Sequence, residues 1–484
     1  MIQQHPEWIA YLVFLTDLAI RIGLSLRILM RGKPVGVTFA WMTIVLAVPY
    51  LGALLYLLIG EHRIGERRLG RVRAVIEQST LWRTTLCERA SREAVAIPDS
   101  YQSLDLQTRT IIGYPSVPGN RLTLLPDYQS IFSNLINDIK SAKISCSLEF
   151  YIWEAGGLAD ELLETVLEAH GRGVYFRILL DGVGSKNFLK GEPARRLRKA
   201  GIRVVEALHV NPVQMLFQRA DIRNHRKIAL IDNRIAYTGS QNLVDPRFFK
   251  QEAGVGEWVD LMIRVEGPAV PALDNVVAMD WSVEAREVGN FPTSSISMQA
   301  VGNLPVQVVP SGPVFREGAI HQLIMSIIYK AQHELVITTP YLAPDEAMTE
   351  ALVAAANRGV AVTLVIPAQV DSFLVRHATP ALLDSLVAVG IQVAQFEQGL
   401  LHTKSITVDG EFCIVGSVNL DMRSLWLNFE ISLFVYDAGF TQQVRELQTG
   451  YIAQSNFIDR EHFSQRTFPQ RLATNIMRLF APLL

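Results

Sequence analysis

The stretches NHRKIALID at residues 224–232 and LHTKSITVD at residues 401–409 decide the fold of this chain, because they share one pattern. That pattern is H-x-K-x4-D, and its residues are His225, Lys227, Asp232, His402, Lys404 and Asp409. A G-S-x-N tetrapeptide follows each stretch. One H-x-K segment is common by chance, but two matching copies in one chain predict a duplicated domain and a shared catalytic site.

Strand and helix patterns surround both copies in the same order. In the first copy, a buried strand at residues 144–153 precedes a helix at 158–170 and a second strand at 174–180. The second copy repeats this order around the R-G-V tripeptide at residues 358–360. Alternating strands and helices predict an α/β fold with a substantially parallel sheet. A repeat of about 180 residues is too long for a solenoid, so we expect two similar domains facing each other across a pseudo-twofold axis.

The two signatures predict phosphodiester chemistry. On an extended backbone, side chains two residues apart project from one face, so each imidazole lies beside an ammonium. One histidine is expected to attack phosphorus and the other to protonate the leaving oxygen. Neutral donors are expected to bind the phosphate oxygens together with the lysines; they are Ser240, Asn242, Ser417 and Asn419. The lysines supply the positive charge that a metal ion would otherwise provide, so we expect no metal and no cofactor.

A nucleophilic imidazole needs a carboxylate that fixes its tautomer. Asp260 and Glu430 occur at comparable places in the two copies and are predicted to orient the histidines. Symmetry alone leaves open which carboxylate serves which histidine. Asp232 and Asp409 belong to the motif and are kept in the catalytic set, although their odd spacing from the lysines favours a structural role.

The first 60 residues predict a transmembrane helical hairpin. Residues 34–60 contain no charged side chain and have the length that spans a bilayer. Residues 8–30 are apolar and long enough, but they include Asp17 and Arg21, which lie one helical turn apart and can pair. One span plus an interfacial helix is the alternative. A signal peptide fits poorly, because there is neither a positive n-region nor a small-residue cleavage site.

Charge and cysteine content indicate the compartment. Five arginines at residues 63–73 outweigh Arg31 and Lys33 between the apolar stretches, so the positive-inside rule places the rest of the chain in the cytoplasm. The formal net charge of -2 gives no reason to expect nucleic acid as a partner, and the 49% hydrophobic content favours a membrane. Three scattered cysteines argue against a disulfide framework and fit a reducing compartment.

The paired signatures resemble those of the phospholipase D superfamily, and the whole chain resembles bacterial cardiolipin synthases of the long, membrane-anchored type. The likeness is carried by LEFYIW at residues 148–153, DPRFFKQ at 245–251 and NLDMRSLWLNFE at 419–430. It covers the chain from the N-terminal hairpin to the final APLL. The catalytic positions show no departure from the family pattern.

The resemblance implies that His225 attacks one phosphatidylglycerol while His402 protonates the departing glycerol. A second phosphatidylglycerol would then resolve the phosphatidyl-histidine to cardiolipin. In related enzymes a carboxylate from the other half braces each histidine, which implies the pairs His225–Glu430 and His402–Asp260. The implied surroundings are the lipid bilayer of the bacterial inner membrane, spanned more than once, with catalytic domains facing the cytoplasm and without nucleic acid. Assembly into a homo-oligomer is left open.

The resemblance and the patterns together predict two similar phospholipase D-like α/β domains behind a transmembrane hairpin. The expected boundaries are a hairpin at 1–60, a linker at 61–105, a first domain at 106–290, a second domain at 291–465 and a C-terminal amphipathic helix at 466–484. The last helix has arginines beside an apolar face, which suits an anionic lipid surface. Packing of that helix against the catalytic domain is the alternative.

Three other functions compete with phosphatidyl transfer. A lipid hydrolase of the phospholipase D type would release phosphatidic acid, and the catalytic residues cannot distinguish it, because water and a glycerol hydroxyl attack the same intermediate. A nucleic-acid phosphodiesterase is opposed by the net charge and by the N-terminal hairpin. A non-catalytic membrane scaffold is opposed by the integrity of both signatures.

Overall fold

A computed structural model describes residues 6–32, 35–60, 66–93, 97–209, 219, 221–287, 289, 291 and 293–459. The chain divides into two compact units, one formed by residues 1–69 with 210–222 and the other by residues 70–209 with 223–484. Both signatures lie in the second unit. The C-terminal amphipathic helix predicted at 466–484 lies outside the described residues.

The N-terminal unit is helical. Its helices are Pro6–Met30, Val35–Ala47 and Pro49–Leu55, with a π-helical turn at Tyr56–Gly60. Trp8–Met30 is long and apolar enough to cross a membrane, whereas Val35–Ala47 and Pro49–Leu58 are shorter apolar helices. The sequence predicted the opposite ranking of the two stretches.

The second apolar stretch is interrupted at Val48, which has φ -135° and ψ 75°. Pro49 follows it, and proline lacks the N–H that would continue the helical hydrogen bonds. The predicted ion pair inside the first helix is present, with Arg21 Nε 2.7 Å from Asp17 Oδ2. The two apolar stretches also contact each other, because the Tyr50 hydroxyl donates to the Val13 carbonyl at 3.2 Å.

The second unit contains nineteen strands among the residues that the structure describes, fifteen of them in one sheet and four in two small two-stranded sheets. The strands of its first half are β1 (Ser116–Leu125), β2 (Ser145–Phe150), β3 (Tyr175–Asp181), β4 (Arg203–Ala207), β5 (Ile228–Ile231), β6 (Ile235–Gly239), β7 (Trp258–Val259) and β8 (Met262–Glu266). The strands of its second half are β9 (Leu304–Ser311), β10 (Glu334–Thr338), β11 (Leu342–Ala343), β12 (Ala361–Pro367), β13 (Gln392–Phe396), β14 (Leu400–Leu401), β15 (Ser405–Val408), β16 (Phe412–Gly416), β17 (Leu420–Asp421), β18 (Glu430–Val435) and β19 (Ser455–Phe457).

The strand order shows the duplication directly. From the middle of the sheet outward, the first half runs β1-β8-β6-β5-β2-β3-β4 and the second half runs β9-β18-β16-β15-β10-β12-β13, with β19 at the outer edge. Each strand of one half therefore has a counterpart at the same place in the other. The halves join where β1 pairs antiparallel with β9. This arrangement confirms two similar α/β halves in a pseudo-twofold relation.

The predicted direction of the strands is only partly right. In each half three neighbouring strands are parallel, namely β2, β3 and β4 in the first and β10, β12 and β13 in the second. The strand inside each signature instead forms an antiparallel hairpin with the next strand, β5 with β6 and β15 with β16. The sheet is therefore mixed, and its parallel part lies away from the junction of the halves.

Helices cover the sheet, and their ends are set by the local sequence. The helices of this unit are Glu66–Ala90, Gln102–Ile112, Tyr128–Ser141, Leu158–Gly171, Lys186–Lys190, Glu192–Lys199, Ala269–Ala285, Ala319–Lys330, Glu346–Asn357, Phe373–Ala388, Met422–Trp426 and Ala438–Ala453, with 3-10 turns at Asp99–Tyr101, Gln251–Ala253 and Thr293–Ser295. Asp127 caps the third of these helices, because its side chain accepts from the Ser130 N–H at 2.7 Å. That helix buries Ile131, Leu135 and Ile139, which are spaced one turn apart.

The segment predicted as a linker is largely one helix, Glu66–Ala90. From Gly70 onward it belongs to the second unit, where Val72 and Val75 pack against Met279 and Val283. The domain boundaries predicted from the sequence stay a prediction.

Candidate active site

Each histidine is held by backbone contacts with the opposite half. The His225 N–H donates to the Phe429 carbonyl at 2.8 Å, and the His402 N–H donates to the Val259 carbonyl at 2.8 Å. Phe429 and Val259 each immediately precede one of the two predicted orienting carboxylates. These backbone hydrogen bonds thus place each histidine next to the carboxylate residue of the other half.

The side chains complete the crossed arrangement. His225 Nδ1 lies 2.9 Å from Glu430 Oε2, and His402 Nδ1 lies 2.7 Å from Asp260 Oδ1. These are the pairs that the family resemblance implied. A carboxylate at Nδ1 holds the proton on that nitrogen and leaves the lone pair of Nε2 available. Both imidazoles are therefore arranged to exchange a proton or to attack through Nε2.

Burial sets the charge of these four groups. It lowers the pKa of His225 and His402 to about 4, although the neighbouring carboxylates act in the opposite direction. Burial alone would raise the pKa of Glu430 and Asp260, but the histidines and the buried lysines hold both values below the ordinary range. Near neutral pH each pair therefore consists of a neutral imidazole and a carboxylate.

The two signature lysines are fully enclosed. Lys227 Nζ donates to the His225 carbonyl at 2.7 Å, and Lys404 Nζ donates to the His402 carbonyl at 2.5 Å. Burial lowers the pKa of Lys404 to about 8. It also lowers the pKa of Lys227, and the charge of Lys404 adds to that effect. Two ammonium groups that destabilise each other favour an anion near both, which is what a phosphodiester would supply.

The glycine and serine of each G-S-x-N tetrapeptide support the carboxylates. A Cβ at Gly239 would lie 2.4 Å from the Leu261 carbonyl oxygen, and a Cβ at Gly416 would lie 2.3 Å from the Ile431 carbonyl oxygen. The absence of a side chain therefore lets this turn approach the segment that carries Asp260 or Glu430.

The serines occupy these turns, where the sequence predicted phosphate contacts. Ser417 Oγ donates to Glu430 Oε2 and accepts from the Ile431 N–H at 3.0 Å. Ser240 Oγ accepts from the Leu261 N–H at 3.0 Å, and its hydrogen bond helps to lower the pKa of Asp260. The hydroxyl group of Ser417 thus bonds to Glu430, and both hydroxyl groups bond to the adjacent backbone. Their predicted contacts with a phosphate stay a prediction.

Both asparagines of the tetrapeptides are buried. Asn242 Oδ1 accepts from the Ile152 N–H at 3.2 Å, while its Nδ2 is buried without a hydrogen-bond partner among the described residues. Asn419 Oδ1 is likewise buried without a hydrogen-bond partner within the described part of the chain. The predicted contacts of both asparagines with a phosphate stay a prediction.

Asp232 and Asp409 lie at the other end of the strands from the histidines. Asp232 accepts from three successive backbone N–H groups, at Lys143, Ile144 and Ser145. Asp409 does the same at the start of β10, with contacts of 2.7–2.9 Å. These carboxylates fasten the hairpin that begins in each signature to the start of the neighbouring strand, and their place in the catalytic set stays a prediction.

Aromatic rings flank the two imidazoles. The Tyr151 ring packs edge-on against His225, with centroids 5.0 Å apart, and the Trp258 ring lies 4.4 Å from that of His402. Trp153 is instead stacked on Phe188 within the core. The sequence did not identify Trp258 as a site residue, although its position two residues before Asp260 was the available signal.

Arg226, the residue between His225 and Lys227, has a structural role that the sequence did not predict. Its side chain is 1% exposed and reaches the second half, where Nε donates to the Glu430 carbonyl at 3.0 Å and Nη2 to the Ser311 carbonyl at 3.1 Å. It also forms an ion pair with Asp280. Arg226 therefore ties His225 to the strand that carries its carboxylate.

The described residues include no group of three or more His, Cys, Asp or Glu side chains arranged to hold a metal ion. The positive charge of the site comes from its two lysines. Each α/β half contributes one H-x-K segment and supplies the carboxylate that pairs with the histidine of the other half. This arrangement defines a phospholipase D-type phosphotransfer centre.

Comparisons with known proteins agree with this class. The family described as "Cardiolipin synthase, PLD-like domain" matches residues 135–255 and 324–448, and that described as "Phospholipase_D-nuclease N-terminal" matches residues 19–61. Cardiolipin synthase A of Erwinia tasmaniensis is 42% identical over 466 residues, which cover 96% of this chain and 96% of the relative. Cardiolipin synthase A of Salmonella arizonae is 41% identical over 483 residues, covering 98% and 99%.

A solved structure shows the same fold. The crystal structure of phosphatidylserine synthase from Haemophilus influenzae Rd KW20 superposes with a TM-score of 0.60 at 14% identity, covering 80% of this chain and 100% of that one. The chain belongs to the cardiolipin synthase family of the phospholipase D superfamily. It is a membrane-anchored enzyme of the phosphatidyltransferase class.

Proposed function

We propose that this protein is a cardiolipin synthase that transfers a phosphatidyl group from one phosphatidylglycerol to another, giving cardiolipin and glycerol. The observation that carries the proposal is the crossed pair of imidazoles and carboxylates, His225 with Glu430 and His402 with Asp260, beside two buried lysines. The near full-length likeness to relatives named cardiolipin synthase A supports the choice of substrate.

In the first step, Nε2 of His225 attacks the phosphorus of the donor lipid. A phosphorus–nitrogen bond forms, the bond between phosphorus and the glycerol oxygen breaks, and His402 supplies the proton that the departing glycerol needs. His402 is neutral in the free site, and the negative charge of a bound phosphodiester raises its pKa toward the value that this role requires.

In the second step, a hydroxyl of another phosphatidylglycerol gives its proton to His402 and attacks the same phosphorus. The phosphorus–nitrogen bond breaks and His225 returns to its neutral form. One phosphodiester is lost and one is gained, so the overall reaction is close to balanced in free energy and reversible. Lys227, Lys404 and the Asn242 amide are assigned to the non-bridging oxygens, where charge develops in both steps.

We further propose that the N-terminal helices span the bacterial inner membrane more than once and that the catalytic unit faces the cytoplasm. The arginines that follow the second apolar stretch favour this orientation. Confinement to one membrane would raise the effective concentration of the acceptor lipid relative to that of water. Phosphatidylglycerol and cardiolipin in the bilayer are then the partners of the enzyme.

The proposal is tested with purified protein in vesicles that contain phosphatidylglycerol. We expect cardiolipin and glycerol in equal amounts, little phosphatidic acid, and return to phosphatidylglycerol when glycerol is added in large excess. Phosphatidic acid as the main product would identify a hydrolase instead. His225→Ala should abolish both products, whereas His321→Ala is a matched control, because His321 forms a separate pair with Asp345 at 2.9 Å.

A further inference from the structure

A second charged cluster connects the two halves beside His402. Lys250, from the first half, has its Nζ 3.1 Å from Oδ2 of Asp371 in the second half. The Tyr341 hydroxyl donates to the other oxygen of that carboxylate at 2.6 Å. The Lys250 side chain is 41% exposed and that of Asp371 is 11% exposed. The ammonium therefore faces solvent, while the carboxylate that holds it is largely buried.

The cluster adjoins the histidine that handles the acceptor. Lys250 Nζ lies 5.4 Å from the centroid of the Trp258 ring, and the same ring lies 4.4 Å from that of His402. Burial opposes ionisation of Asp371, but the Tyr341 hydroxyl, the Lys250 ammonium and His402 together hold its pKa below the ordinary value. Asp371 therefore holds the ammonium beside the Trp258 ring, which His402 also contacts.

The backbone at Lys250 is unusual for a residue with a side chain. Its φ of 50° and ψ of 35° are in the left-handed region, immediately before the 3-10 turn at Gln251–Ala253. Non-glycine residues in this region are strained, and such residues are concentrated at functional sites. The strain is consistent with a turn that places one particular side chain.

The following step rests on the proposed function. The acceptor hydroxyl must occupy the place next to His402 from which glycerol departed. The acceptor is itself a phosphodiester, and only a three-carbon chain separates its hydroxyl from its own negative charge. Water and free glycerol carry no such charge. A cation beside His402 would therefore favour the lipid acceptor over both.

We propose that Lys250 binds the phosphodiester of the acceptor phosphatidylglycerol and that Asp371 and Tyr341 position it for this contact. An ammonium has three donors, so Lys250 can retain Asp371 while it donates to a phosphate oxygen. Lys250 is then a determinant of acceptor choice that acts in the second step alone.

The test compares two acceptors for the same phosphatidyl-enzyme. Cardiolipin formation in phosphatidylglycerol vesicles reports the charged acceptor, and incorporation of labelled glycerol into phosphatidylglycerol reports the neutral one. Lys250→Gln should lower cardiolipin formation about tenfold, through a higher KM, because a charge-assisted hydrogen bond is lost. Glycerol exchange should change less than twofold. Lys250→Arg should restore most of the lost cardiolipin formation.

Arg196→Gln is the matched control. Arg196 also forms an exposed ion pair, 2.6 Å from Glu164, with a side chain that is 39% exposed, but it lies on the helix Glu192–Lys199. It should leave both reactions unchanged. Salt gives a second readout that needs no comparison of protein yields: the ratio of cardiolipin to exchange should fall with ionic strength in the unmodified enzyme and stay flat in Lys250→Gln.

The outcomes separate this proposal from the proposed function. Equal loss of both reactions in Lys250→Gln would make Lys250 a support of the catalytic centre and overturn its role in acceptor binding. No loss in either reaction would overturn it as well. Phosphatidic acid in place of cardiolipin from the unmodified enzyme would instead refute the proposed function itself.

Discussion

Replacing each of the two crossed carboxylates by its amide should have different consequences, and the difference assigns the roles of the histidines. Glu430→Gln removes the charge 2.9 Å from His225 Nδ1 and offers an amide that can donate to that nitrogen. The nucleophile would then hold its proton on Nε2, which is the wrong tautomer for attack. Asp260→Asn makes the equivalent change at His402, 2.7 Å away.

The magnitude follows from the geometry. An imidazolium and a carboxylate about 4 Å apart between charge centres attract each other by about 4 kcal/mol at an effective dielectric constant of about 20. Loss of that attraction as His225 becomes positive in the transition state corresponds to a rate about 10³-fold lower. The same kind of change in a serine protease triad costs about 10⁴ in kcat. We therefore expect the first step of Glu430→Gln to be slower by about 10³- to 10⁴-fold.

A donor lipid with p-nitrophenol as its leaving group isolates that step, because p-nitrophenolate leaves without a proton. In single-turnover experiments Asp260→Asn should release a burst of p-nitrophenolate and retain lipid covalently on His225, although its turnover is slow. Glu430→Gln should show neither burst nor adduct. Asp345→Asn is the control, since it alters a histidine–aspartate pair elsewhere and asparagine still caps the helix there. A burst in Glu430→Gln but not in Asp260→Asn would reverse the assignment of the two histidines.

Three further predictions follow from the charges and contacts of the site. The plot of kcat/KM against pH should fall toward pH 4, where His225 becomes protonated, and above about pH 8, where Lys404 loses its proton; a rate that still rises at pH 9 would contradict this. Activity should survive thorough chelation, because lysines supply the positive charge, and recovery of lost activity by one specific divalent ion would refute that reasoning. Asp232→Ala should lower the free energy of unfolding by about 2 kcal/mol in denaturant titrations, since it loses three backbone hydrogen bonds, and should leave kcat of the folded enzyme within twofold; a hundredfold loss of kcat at unchanged stability would keep Asp232 in the catalytic set.

The duplication and the catalytic histidines could be predicted because they depend on a local pattern that occurs twice. The strand at Ser145–Phe150, the helix at Leu158–Gly171 and the strand at Tyr175–Asp181 match their predicted positions within a few residues. These elements are long and regularly patterned, so the sequence determines them strongly. The crossed pairing of carboxylates required the family resemblance, because a symmetric repeat is compatible with either pairing.

The mixed direction of the sheet was missed, although the sequence contains a signal for it. Asp232 and Asn233 have φ of 51°, and Asp409 and Gly410 have φ of 52° and 70°. Asp-Asn and Asp-Gly readily adopt two successive positive φ values, the conformation of tight turns that join antiparallel strands. The aspartate that ends each signature therefore lies in the turn of the hairpin that the signature strand begins. Its motif membership suggested chemistry, but its spacing from the lysine already favoured a structural role.

The hydrogen bonds of Ser240 and Ser417 could not be predicted, because they depend on contacts between segments distant in sequence. A hydroxyl in G-S-x-N is chemically suited to a phosphate or to a carboxylate. The approach of Gly239 and Gly416 to the segments that carry Asp260 and Glu430 brings each serine within hydrogen-bonding distance of the backbone there. The break in the helix at Val48 is a different case. Pro49 indicates it, but the uniformly apolar composition of the stretch favoured one continuous span.

The site has twofold symmetry at its centre and asymmetric surroundings, and an asymmetric reaction requires that difference. Beside His225, Asn224 is fixed by a 2.7 Å hydrogen bond to Glu149 and accepts from the Arg226 N–H at 3.2 Å, so the nucleophile stands on a network of buried polar groups. At the corresponding position before His402 the chain has the apolar Leu401, and the Trp258 ring that packs on His402 also packs on Lys250, whose ammonium pairs with Asp371. A fixed nucleophile needs rigid support, because its displacement raises the barrier to attack. His402 gives a proton to the departing glycerol and then takes one from the incoming lipid. The space beside it must therefore be open to both molecules in turn. Gene duplication would supply the symmetric centre. Later sequence changes around it would allow one half to hold the phosphatidyl group and the other half to admit the acceptor.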